Sequence, residues 1–180
     1  MDDLKGSKTE ENLKAALAGE SQARVKYEIF ANQAREDGYV QIADIFQEAS
    51  DNEREHAKMW LKLLNSGIPD TESNLAASAE GEHEEWTVMY KEFAETAREE
   101  GFDFIADLFE KTASIEKVHE ERYNTLLENI KADKVFKKDE EIAWKCANCG
   151  YIHYGSEAPQ ICPMCKYPQG YFRKQDKTYE

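Results

Sequence analysis

Residues 34–46 read Ala-Arg-Glu-Asp-Gly-Tyr-Val-Gln-Ile-Ala-Asp-Ile-Phe, and residues 97–109 read Ala-Arg-Glu-Glu-Gly-Phe-Asp-Phe-Ile-Ala-Asp-Leu-Phe. The second stretch repeats the first at an offset of 63. Each copy carries a helix-stopping glycine, Gly38 or Gly101, followed by the start of a new amphipathic helix. Working downstream, the same offset carries Glu53 and His56 onto Glu116 and His119. Upstream the match slips: Gly19-Glu20 meets Gly81-Glu82 at an offset of 62, so one extra residue lies between Glu82 and Tyr90, compared with Glu20 and Tyr27. An extra residue inside a helix predicts a π-bulge, a feature frequent at functional sites. Two helical hairpins related by duplication predict a mainly α fold, a four-helix bundle with a pseudo-two-fold axis.

The surrounding composition agrees. From Ser7 to Lys131 the chain is rich in Ala, Glu, Lys and Leu, with proline only at Pro69. Ser7-Lys8-Thr9-Glu10 has the form of a capping box. Helices are expected at about 8–37, 39–66, 75–100 and 102–131, with a turn at Gly67-Ile68-Pro69-Asp70. Each carries an apolar stripe at helical spacing, such as Ile42, Phe46, Ala49, Trp60 and Leu63 on the second helix.

Inside those stripes sit polar residues. Glu53 and His56 interrupt the second, Glu116 and His119 the fourth, Glu20 lies in line with Leu13, Ala16, Tyr27 and Phe30, and Glu82 and Glu85 lie in line with Met89 and Phe93. Five carboxylates directed at a core are costly unless protonated, paired or metal-bound, and two histidines cannot pair them all. Two divalent ions supply +4 against −5. One Glu from each of two helices and Glu-x-x-His from each of the others is the layout of a dinuclear carboxylate site. Glu85 is a fifth carboxylate with no counterpart in the first repeat. Glu80 and His83 share the spacing by surface chance, and Glu99, Glu120 and Glu121 read as a solvated face. Tyr27 and Tyr90 face the same core, either as plain packing or as partners of a ligand carboxylate.

The last forty residues are different in kind. Residues 1–140 carry 18 basic and 33 acidic residues, and residues 141–180 carry 5 and 4, within a total of 180 residues and a net charge of −14. The acidic excess argues against a nucleic-acid backbone or an anionic membrane surface as partner. No apolar run approaches the roughly 20 residues of a membrane span, and the N-terminus lacks a secretory signal, so a cytoplasmic location is expected. All four cysteines fall here, as Cys146-x2-Cys149 and Cys162-x2-Cys165 with twelve residues between. In a reducing compartment this is a tetrahedral metal site, zinc or iron, and it staples a piece too small to hold a core unaided. The domain division expected is 1–133 for the helices, 134–143 for a polar linker and 144–180 for the metal knuckles.

Taken together, Glu20, Glu53-x-x-His56, Gly81-Glu82-x-x-Glu85-Trp86 and Glu116-x-x-His119, followed by Cys146-x2-Cys149-Gly150-Tyr151 and Cys162-Pro163-x-Cys165, closely resemble the rubrerythrin family along essentially the whole chain. The resemblance implies a ferritin-like four-helix bundle with a di-iron centre, fused to a small C-terminal rubredoxin-like domain holding one iron on four cysteines. It implies that Glu53 and Glu116 bridge the irons, that Glu20 is terminal on one and Glu82 with His119 on the other, and that Glu85 and His56 alternate on the first iron with oxidation state. It further implies reduction of hydrogen peroxide to water, an external electron donor such as a rubredoxin or its reductase, and a homodimer or higher homo-oligomer. A ferroxidase or iron store would use the same carboxylates without an electron inlet, so the fused cysteine site counts against it; a purely structural module would need zinc there.

Overall fold

The computed structural model describes residues 4–176. Its element order is α1 Lys8–Glu36, α2 Val40–Leu64, α3 Thr71–Glu84, a π-helical segment Glu85–Met89, α4 Tyr90–Glu99, α5 Asp103–Lys131, then strands β1 Lys137–Cys146, β2 Ile152–Glu157 and β3 Phe172–Lys174. Four long helical rods followed by a small antiparallel sheet are the mainly α architecture the repeat predicted. The third rod starts at Thr71, earlier than expected, directly after Pro69-Asp70. The chain divides into two compact units, Met1–Asp70 and Thr71–Glu180.

In the first unit, Ser7 caps α1 by accepting from the Glu10 backbone N–H at 3.1 Å. The helix stops at Gly38, whose φ of 85° is the left-handed conformation that favours glycine. There the Tyr39 N–H donates to Ala34 O at 2.8 Å and the Gly38 N–H to Arg35 O at 3.1 Å. This is the Schellman closure. Side chains of α1 and α2 then pack as an antiparallel hairpin, with Ala31, Ala34 and Ala43 buried near its closed end. Ser50, also buried, donates to Arg24 O at 2.9 Å and ties mid-α2 to mid-α1. Tyr27 and Phe30 meet Phe46 at ring separations of 6.2 and 5.7 Å.

The second unit builds its hairpin the same way, because its residues are the same. Gly101 (φ 84°), Phe102 N–H to Ala97 O at 2.7 Å, buried Ala94, Ala97 and Ala106, and Tyr90 and Phe93 against Phe109 at 6.0 and 5.6 Å repeat the first pattern. Even the corner ion pair recurs, Arg35–Asp44 in one unit and Arg98–Asp107 in the other. The extra residue is absorbed where the sequence put it: the π-helical turn falls between Glu82 and Tyr90, with the Tyr90 N–H donating to Glu85 O, five residues back.

After α5, the charged run expected as a tether enters regular structure at Lys137, the first residue of β1. The sheet order is β2-β1-β3, antiparallel throughout, with Trp144 opposite His153 and Lys174. Trp144, Cys146, Ala158, Cys162 and Phe172 form its core, and the Trp144 indole donates to Gly155 O at 2.9 Å. Among the described residues no helix is long and apolar enough to cross a membrane.

Candidate metal centres

Two carboxylate–histidine groups form, one per unit. In the first, ligand atoms of Glu20, Glu53 and His56 lie within 4.8 Å of one another; in the second, those of Glu82, Glu116 and His119 do. Helical spacing explains this. Residues i and i+3 share a face, so Glu53 approaches His56 Nδ1 at 2.7 Å and Glu116 approaches His119 Nδ1 at the same 2.7 Å. The third member comes from the facing helix: Glu20 from α1, and Glu82 from α3, which lies 3.7 Å from His119 Nδ1.

The second group is electrostatically loaded. Burial raises the Glu82 carboxyl above its ordinary value, the negative charges of Glu116 and Glu85 push the same way, and His119 only partly opposes them. Burial also raises the Tyr90 phenol, with Glu85, Glu116 and Glu82 contributing. Glu85 is outside the three-residue group but near enough to act on both. Carboxylates gathered this way want a cation. Two Glu2His sets offer oxygen and imidazole donors that suit iron, so the residues fit a di-iron centre.

The four cysteines also converge, with their Sγ atoms within 4.8 Å of one another. Two matched knuckles hold them. The Gly150 N–H donates to Cys146 O and the Lys166 N–H to Cys162 O, both at 2.9 Å; the Cys146 N–H donates to Tyr151 O and the Cys162 N–H to Tyr167 O, both at 2.8 Å. Cys146 Sγ lies 3.7 Å from Cys165 Sγ, and Cys149 Sγ 3.7 Å from Cys162 Sγ, too far for disulfides and apt for a shared ion. The Asn148 side chain, then the Tyr167 N–H, pull the Cys165 thiol down to about 6. At Cys149 a hydrogen bond from the Tyr151 N–H favours the thiolate but is outweighed by desolvation and the other three sulfurs, which push it up to about 12.

All eleven expected ligand positions except Glu85 therefore fall into three clusters of donors. Sequence reasoning missed one arrangement beside them. His83 does not pair with Glu80; its Nδ1 meets Glu120 Oε1 at 3.1 Å, while the Trp86 indole donates to Glu120 Oε2 at 2.5 Å. Lys91 and Lys117 approach the Trp86 ring at 5.6 and 5.5 Å from its centroid. Glu120 and Trp86 are 34 residues apart on different helices, so no local spacing announces the pair.

The chain matches the family model described as Rubrerythrin over residues 11–127 and 73–148, and the model described as Rubrerythrin, rubredoxin-like domain over residues 144–173. It is 49% identical to rubrerythrin-1 of Clostridium acetobutylicum, over 99% of this chain and 100% of that one. It is 48% identical to rubrerythrin of Nitratidesulfovibrio vulgaris, over 96% of each chain, and 36% identical to nigerythrin of the same organism, over 91% of this chain and 85% of that one.

Proposed function

The chain belongs to the rubrerythrin family, and on that premise we propose that it is a peroxidase: it reduces hydrogen peroxide to water, drawing electrons from an external donor through its cysteine site. The observation that carries this is the pairing of two donor chemistries in one chain, two Glu2His groups and a four-thiol pocket. Rubrerythrins couple a di-iron domain to a rubredoxin-like domain. A di-iron pair held by the Glu2His groups would supply the two electrons that cleave the O–O bond, and an iron held by the four cysteines would supply the single electrons that refill it. With two protons, the peroxide leaves as two waters.

The residues divide the work. Glu20, Glu53 and His56 would hold one ion of the pair, and Glu82, Glu116 and His119 the other, with Glu53 and Glu116 as the carboxylates that would be shared between them. Glu85 would serve as the alternative to His56 on the first ion. The Tyr90 phenol, its pKa raised by burial and then by Glu85, Glu116 and Glu82, stays protonated near the second group. Cys146, Cys149, Cys162 and Cys165 bind the electron-carrying iron. The functional division is 1–133 and 144–180, in a homodimer or higher homo-oligomer, with a rubredoxin or its reductase as donor.

An iron-storage role has no use for the cysteine iron. Metal analysis with a visible spectrum separates the readings: the purified protein should contain iron at the cysteine site, be red when oxidised, bleach on reduction and recolour with peroxide. A colourless, zinc-filled protein refutes the peroxidase.

A further inference from the structure

His83, Trp86 and Glu120 each stand one position after a candidate ligand: His83 after Glu82, Trp86 after Glu85, Glu120 after His119. One Glu120 carboxylate takes both partners, the Trp86 indole N–H at 2.5 Å and His83 Nδ1 at 3.1 Å. His83 and Trp86 also meet edge-on, ring centroids 5.6 Å apart. Trp86 lies in the π-helical segment, and His83 accepts at its carbonyl from Thr87 Oγ1 inside the same turn. The first repeat has nothing equivalent. Ser21 follows Glu20 and turns its hydroxyl back to Leu17 O, and Ala57 follows His56. Among the described residues the network thus occurs only in the half that carries the extra residue and the unmatched Glu85.

A π-turn is rare and appears mostly as a single-turn bulge inside an α-helix, frequently at a functional site. We propose that Glu120, through Trp86 and His83, is a positioning residue that fastens the π-helical turn to α5 and thereby fixes the backbone beneath Glu82, Glu85 and His119. A charge-assisted bond to a half-buried carboxylate is the strong kind. Lys91 and Lys117 beside the indole keep the ring seated. Any movement at Glu85 is then made by its side chain over a stationary backbone. This inference rests on the reading of those three residues as ligands.

The test is amide hydrogen exchange on the metal-free full chain, with cobalt(II) titration as a second readout. Trp86→Phe and Glu120→Ala should each speed exchange across residues 85–89 on the order of ten-fold to a hundred-fold, with residues 20–27 unmoved and helical content unchanged. Glu120→Gln, which still offers an oxygen to the indole, should stay near wild type, and the Trp86→Phe/Glu120→Ala double variant should be no worse than either single. Of the two carboxylate-bound cobalt ions, only one should weaken. Unchanged exchange in Trp86→Phe, or Gln failing as badly as Ala, overturns the brace. Wild-type helices that bind no metal overturn the ligand reading instead, while exchange still reports on the brace.

Discussion

Removing the metal from the four-cysteine pocket gives a prediction that can be worked from two distances. Two thiolates 3.7 Å apart repel strongly, because like charges this close disfavour one another's ionised form. A second ionisation in the empty pocket is therefore driven well above neutrality once the first has occurred. The first belongs to Cys165, at about 6, and the thiol at Cys149 is held at about 12. At pH 7 the empty pocket then carries the Cys165 thiolate, and its charge opposes a second. A metal ion that takes four must release about three protons.

Cobalt(II) makes this countable, because its thiolate charge-transfer band reports occupancy of the cysteine pocket alone while a pH indicator counts the protons. The expected ratio is near three at pH 7. It should climb towards four near pH 5, below the Cys165 value, where that thiol must also be deprotonated. A ratio below two at pH 7 would mean the pocket does not gather four thiolates. A ratio of four at pH 7 would mean Cys165 is not pre-ionised and Asn148 does not support it.

Three further outcomes are expected. Glu85→Ala should keep the fold and much of the iron yet lose peroxide turnover; a fully active variant shows that Glu85 is no ligand. Glu82 has a raised carboxyl value in the folded state, so the folded chain binds more protons than the unfolded one just above the ordinary carboxylate range, and stability falls as pH rises through that window. Accordingly Glu82→Gln should melt above metal-free wild type at neutral pH, with the gap closing in acid; a gap independent of pH contradicts the burial argument. Finally, on the proposed homodimer with each centre completed by two chains, co-expressing Glu53→Ala with Glu116→Ala should restore about a quarter of the wild-type dinuclear sites through mixed dimers; no recovery shows that one chain completes its own.

Much of the fold and site was readable because duplication writes structure twice. Gly38 and Gly101, Arg35 and Arg98, and Ala43 and Ala106 gave the hairpin in two copies, and each copy checks the other. The shift from 63 to 62 located the π-turn without any propensity signal. Cysteine spacing did the same for the knuckles. What stayed hidden was what spacing cannot encode. Glu120 looked like one more surface acid because its partner comes from another helix. The run Lys137–Glu141 looked like a tether because its charges mask a strand paired at its start with Glu157.

The two halves begin as equals, and equal halves would offer two ions equal surroundings. Three departures from the repeat break that equality, and all lie in the second hairpin: the extra residue, the unmatched Glu85 and the Glu120 network. Each makes sense through the others. An extra residue alone would strain a helix; a fifth carboxylate alone would add charge to a group whose Glu82 is already hard to ionise; a surface acid bonded to an indole alone would be idle. Joined, the π-turn carries Glu85 as its first residue, the excess charge is tolerable where a cation is bound, and the proposed Glu120 brace holds the turn in place. The asymmetry is therefore a single device, and removing any one part should expose the cost of the other two.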